Sequence, residues 1–129
     1  MTLDRETALR KLAVGDIFHA RGSGPASLVS LVTAIDNGTI YARRIHTQDD
    51  LKFDRNTGFQ LGKVHTKIDC VAPFPPDIHN IILEMDRKHG YHTELFRKGV
   101  EPDPKQRKMT ADEKRANLSI NAHVAANPI

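Results

Sequence analysis

Disulfide chemistry is closed to this chain on its own: Cys70 is the only cysteine among 129 residues, so no internal bridge can form. A lone thiol fits a reducing compartment, and the expected location is the cytoplasm. Tryptophan is absent, and two tyrosines with five phenylalanines are few for the stacking platforms of a dedicated single-strand binder. No apolar run reaches the roughly 18 residues a spanning helix needs, which excludes a membrane partner of that kind. The first 13 residues carry Asp4 and Glu6 and no apolar centre, so they do not read as a secretory signal. A large surplus of one charge is missing too, since 19 Lys+Arg against 16 Asp+Glu give only +3. Hydrophobic content of 39% and charged content of 27% still allow one modest core and exclude collagen-like or wholly disordered classes.

Within those bounds the chain is well punctuated. Residues 2–12 form a short helix by pattern, with Thr2 or Asp4 as the cap, acid in the first turn, and Arg10 and Lys11 in the last. From Val14 the period changes to that of strands. Residues 17–21 make a first strand, which ends in the flexible loop Gly22-Ser23-Gly24-Pro25. Residues 27–35 are β-branched and lead to Asn37-Gly38, a strong hairpin signal because both residues tolerate positive φ. The return strand covers 39–47, another covers 51–55, and Phe59 and Leu61 form a short apolar pair after a turn. Phe53 and Phe59 read as core. Residues 64–72 alternate most cleanly, with Val64, Thr66, Ile68 and Cys70 on one face. Cys70 is therefore packing material, not a reactive thiol.

Pro73, Pro75 and Pro76 end the strand region. Asp77 then caps a helix whose apolar face is Ile78, Ile81, Ile82 and Met85, and Gly90 marks its end. Residues 91–109 read as a linker or arm. Thr110 with Glu113 makes a capping box, predicting a helix from there to about residue 126 along the thin seam Ala116, Ile120 and Val124. That helix is a docked element, a partner-binding arm or a frayed tail. The expected domains are 1–90, a barrel with flanking helices, then 91–109, then 110–127.

Five to six short strands with tight turns and no intervening helix predict an α+β protein: a small antiparallel SH3-like β-barrel with an N-terminal helix and C-terminal helices. An OB-like barrel would place a helix between its third and fourth strands, and none is visible before Pro73. Val14-Gly15-Asp16-Ile17, Val32-Thr33-Ala34-Ile35 and Asn37-Gly38-Thr39-Ile40 resemble the opening of KOW- and SH3-like barrels. Phe53-Asp54-Arg55-Asn56-Thr57-Gly58, followed by an apolar pair and a helix, resembles small, mostly uncharacterised barrel proteins of bacteria and phages. KOW domains proper carry a further glycine where Ser30 and Thr33 stand here. The resemblance covers about residues 14–90 and carries over no site residues.

No catalytic motif is apparent. Walker, dinucleotide and HExxH patterns are missing, Ser23 lacks a strand–elbow–helix context, and Asp49-Asp50 sits in a turn. His89 and His92 invite a metal or ligand sensor, with His79 upstream. A helix ending at Gly90 would separate them, so no metal or cofactor is expected. The charge distribution says more. Between residues 43 and 67 six Lys/Arg face three Asp, and His46 and His65 lie in the same stretch. Arg43, Arg44, His46, Lys52, Arg55, His65 and Lys67 are the candidate strip for DNA or RNA. A second basic excess runs from Arg87 to Arg115 and includes Lys105-Gln106-Arg107-Lys108. The leading expectation is a non-enzymatic binding module that contacts nucleic acid or a nucleoprotein. The alternative is an assembly module, with Ile120 and Val124 meeting a protein partner or a second copy.

Overall fold

A computed structural model of the chain describes residues 4–24, 27–104 and 108–129. Thr2 as a cap, Pro25 of the glycine loop, and the basic positions Lys105 and Arg107 lie outside the described residues. The first helix, α1 (Arg5–Arg10), is capped by Asp4, whose Oδ1 accepts the Thr7 N–H at 3.0 Å. That bond and one from the Thr7 hydroxyl hold the Asp4 carboxyl below its ordinary range.

Five antiparallel strands follow: β1 (Ile17–Arg21), β2 (Ser27–Ile35), β3 (Thr39–Arg44), β4 (Asp50–Asp54) and β5 (Lys67–Cys70). Their order in the sheet is β4-β3-β2-β1-β5. The hairpin at Asn37-Gly38 forms, but neither residue takes the expected positive φ; the Asp36 side chain holds the turn instead. Asp36 Oδ1 accepts the N–H groups of Gly38 and Thr39 at 2.9 and 2.6 Å, which lowers its pKa. The return strand stops at Arg44, three residues short of expectation. There the chain turns, with Gln48 at φ 62 donating its N–H to Arg44 O at 2.8 Å.

The edge strands are joined through residues 58–61. Toward β4, Asp54 and Leu61 donate their N–H groups to Phe59 O and Lys52 O at 2.8 and 2.9 Å. Toward β5, Ile68 and Gln60 donate to Gly58 O and Thr66 O, both at 2.8 Å. Only isolated bridges result, so the sheet curls into a half-barrel with a thin seam. This corrects the expected core position of Phe59, which is 38% exposed. The long alternating strand at 64–72 shrinks to β5, because residues 61–65 are used in turns and leave Val64 in solvent. At the seam Gly58 has φ +78, and a Cβ there would come 3.2 Å from Leu9 Cδ1 of α1. Arg5 Nε also donates to Thr57 O at 2.8 Å, so α1 is clamped onto the seam.

Two apolar clusters lie on opposite faces of the sheet. The inner one joins Leu9 and Leu12 to Phe18, Ala20, Val32, Ile40, Ala42, Phe53 and Ile68. Its two rings meet edge-to-face, with the Phe18 and Phe53 centroids 5.2 Å apart. The outer cluster joins Ile17, Ile45, Cys70 and Phe74 to Ile82, Ile120 and Val124 of the later helices. Those helices are α2 (Pro76–Arg97) and α3 (Ala111–Ala126).

Helix α2 begins with Pro75 as its N-cap and Pro76 in the first turn, where a missing N–H costs nothing. Asp77 is thus a first-turn acid and not the cap. The helix runs straight through Gly90 to Arg97, so residues 91–97 of the expected arm are helical. Gly90 serves packing: a Cβ there would lie 3.1 Å from Gln48 Oε1. At α3 the Thr110 hydroxyl accepts the Glu113 N–H at 3.2 Å, the expected cap. Ala116, Ile120 and Val124 are buried, which settles α3 as a docked helix.

Candidate functional site

The seven predicted cation-bearing positions do not form one strip. Three arginines are engaged within the fold. Arg43 donates Nε and Nη2 to the two Asp86 oxygens at 3.0 and 2.7 Å, tying β3 to α2. Burial penalises the Asp86 charge, but the bonds from Arg43 and Gln48 outweigh it, and the carboxyl titrates below its usual range. The Arg43 guanidinium is correspondingly held more basic, chiefly by its bond to Asp86. Arg55 donates to Asp36 O at 3.0 Å, bracing the hairpin. Arg44 reaches across to Ser27 O at 3.2 Å, and burial lowers its pKa. His46 packs edge-on to His89 at 5.6 Å, beside α2.

The remaining three, Lys52, His65 and Lys67, gather along the seam. Lys52 is on β4 next to Leu61, and Lys67 opens β5 opposite both Phe59 and Arg21. His65 and the additional Lys63 lie in the turn between them, and all four side chains are exposed. Lys52, Lys63 and Lys67 have no carboxylate partner among the described residues. Lys52 Nζ lies 5.7 Å from the centre of the Tyr41 ring. Exposed Phe59 and Leu61 add apolar surface within the same group. The candidate site is therefore the seam, with three of the seven predicted residues and Lys63 in addition.

The fold also assembles a constellation that spacing along the chain does not show. His19 of β1 is fully buried, with Nδ1 2.5 Å from Asp69 Oδ1 and Nε2 2.5 Å from Ser27 Oγ. An ionised carboxylate only accepts, so Nδ1 donates to Asp69; in a neutral ring Nε2 then accepts from the Ser27 hydroxyl. A β-bulge makes this possible. Ala20 pairs with Ile68 and His19 with Cys70, so Asp69 is an extra residue turned to the face that carries His19. Beside Ser27 a cavity of about 240 Å³ opens between the sheet and the two long helices. Arg44 lines it with Ser27, as do Val29, Ile82, Met85 and Ile120.

The other sequence candidates separate. His89 and His92 do share continuous helix, contrary to a break at Gly90, but they face different carboxylates. His92 Nδ1 is 2.7 Å from Glu101, while His89 Nε2 is 3.9 Å from Glu113. Among the described residues no three His, Cys, Asp or Glu side chains are grouped to hold a metal ion. Cys70 is buried, and desolvation raises its pKa. Ile120 and Val124 belong to the outer core and offer no exposed seam. Among the described residues no helix is long and apolar enough to cross a membrane.

Fold and site together define a class: an α+β protein with a curled antiparallel half-barrel, two covered faces and a cationic seam. Beyond that class, no family model, no curated protein and no solved structure matches the chain.

Proposed function

We propose that this chain is an SH3-like nucleic-acid-binding module that holds the phosphate backbone at its seam. The observation that carries the reading is the group of Lys52, Lys63 and Lys67, unpaired with carboxylates among the described residues and interleaved with exposed Phe59 and Leu61. Free ammonium groups on adjacent segments release counterions when they meet phosphates, and a neighbouring ring offers a stacking surface. Arg21, the register neighbour of Lys67, extends the strip onto β1, where its Nε lies 3.6 Å from Asp69. Arg43 and Arg55 are left out, because leaving their present partners would weaken the fold.

Fluorescence anisotropy with labelled single- and double-stranded oligonucleotides across a salt series tests this. Three to four phosphate contacts give a slope of log affinity against log salt of about −2 to −3.5. Replacing Lys52, Lys63 and Lys67 together by alanine should remove nearly all of that slope. Undetectable binding at low salt, or unchanged binding by the triple variant, refutes the reading.

A further inference from the structure

We propose that Ser27 is a reactive nucleophile, served by His19 as base and Asp69 as its positioning residue, and that it accepts the acyl group of a small carboxylic ester seated in the adjoining cavity. The inference does not rest on nucleic-acid binding at the seam.

The geometry has the parts such a reaction requires, in working order. A nucleophile needs a base within hydrogen-bond reach and a third group that fixes the base's tautomer. The 2.5 Å contacts of His19 to Ser27 Oγ and to Asp69 Oδ1 use the two different ring nitrogens, as this arrangement demands. The three residues come from β2, β1 and β5, so rigid strands hold them in place. His19 is fully buried while Ser27 is exposed, which puts the base out of water and the nucleophile within reach of a ligand.

A site for developing negative charge is also present. Arg44 donates Nη2 to Ser27 O, and its Nε–H is buried with no hydrogen-bond partner among the described residues. A guanidinium bonded to the Ser27 carbonyl puts positive charge beside the nucleophile, where a developing oxyanion would be stabilised. The cavity beside it holds about 240 Å³ and is walled by Val29, Ile82, Met85 and Ile120. That is below the range of about 300–1,000 Å³ for drug-sized ligands, which limits the acyl group to a short one; Glu113, Asn117 and Asn121 line the cavity beside its apolar wall.

The step balances without any outside redox partner. Ser27 Oγ forms a bond to the carbonyl carbon while its proton passes to His19 Nε2, and Asp69 stabilises the imidazolium through Nδ1–H. The C–O bond to the leaving alcohol breaks, and the alcohol takes the proton from His19. Water then repeats the sequence, releasing the carboxylic acid and restoring the Ser27 hydroxyl.

The test uses the full chain with a fluorophosphonate probe, which loses fluoride when a serine oxygen attacks phosphorus, and with 4-nitrophenyl acetate and butyrate as esters. The expected result is one phosphonyl adduct, mapped by peptide mass spectrometry to Ser27, absent in Ser27→Ala. Asp69→Asn should reduce the labelling rate by about 10²- to 10⁴-fold at unchanged circular dichroism. Wild-type protein labelled no faster than an ordinary serine overturns the proposal, whatever the variants do. So does Ser27 labelling that is as fast in a folded Asp69→Asn variant. The Lys52, Lys63 and Lys67 triple variant should keep full labelling, so loss of nucleic-acid binding and loss of the nucleophile are read separately.

Discussion

The two faces of the sheet bury different chemistry. The inner cluster, from Leu9 to Ile68, is hydrophobic, with Ser30 opposite Phe18 as a small buried polar neighbour, and is covered by a helix of six residues and the curl of the sheet itself. The outer face buries His19, Asp86 and His89 beside its apolar residues and is covered by α2 and α3. An apolar cluster needs only shape and volume to be stable, whereas each buried polar group must find a particular partner. Inner-face residues thus specify the curl, and outer-face residues specify where the helices dock and which side chains meet at Ser27.

The contrast can be tested by substitution. The largest effect should come from Phe53→Ala on the inner face, costing about 3–5 kcal/mol of unfolding free energy in urea titrations. Because Phe53 also stands at the seam, its loss should unfold the molecule as a whole. On the outer face Asp86→Ala should cost about 1–3 kcal/mol, since it strands the Arg43 guanidinium and the Gln48 amide. Its acid response should change as well. The Asp86 pKa is depressed in the fold, so its contribution is present above about pH 4 and is lost as pH falls through the folded value. Asp86→Asn should flatten that part of the acid denaturation curve; an unchanged curve would remove Asp86 from the interface energetics.

Smaller effects sharpen the comparison. Thr110→Ala removes the α3 cap and should cost about 1 kcal/mol. It loosens only the outer face, so the Cys70 thiol should react faster with a thiol reagent while inner-face amides keep their protection. Wild-type Cys70 should react only as fast as the outer face opens. Gly90→Ala should change stability least. The gain of about 1 kcal/mol in helix propensity is offset by displacing Gln48, which is held by Ile45 O and Asp86.

The same division marks what could be read in advance. Alternation and turn residues placed β1, β2 and the Asn37-Gly38 hairpin, and the capping box at Thr110 placed α3, because these are local signals. Gly90 misled because a glycine kept for Gln48 looks identical to one that ends a helix. Phe59 misled because its neighbours close a seam instead of extending a strand. Of the charged strip, Lys52, His65 and Lys67 remain together, but sequence could not show that Asp86, 43 residues away, takes up Arg43. Nor could it show Ser27, His19 and Asp69, which are 8 and 50 residues apart in pairs and meet only through a bulge. The bulge also parts Ile68 from Cys70, which strict alternation puts on one face: Ile68 lies in the inner cluster and Cys70 in the outer one.

The seam is held by two isolated bridges in place of a ladder, and this gives the half-barrel a preferred place to breathe. Local openings follow the thinnest hydrogen bonding, so the amides of Gln60 and Ile68 should exchange with solvent well before those between β1, β2 and β3. Any anion that bridges Lys52 and Lys67 would span the same junction from β4 to β5. Bound ligand would then act as a latch, and slowed exchange at those two amides would report its occupancy directly.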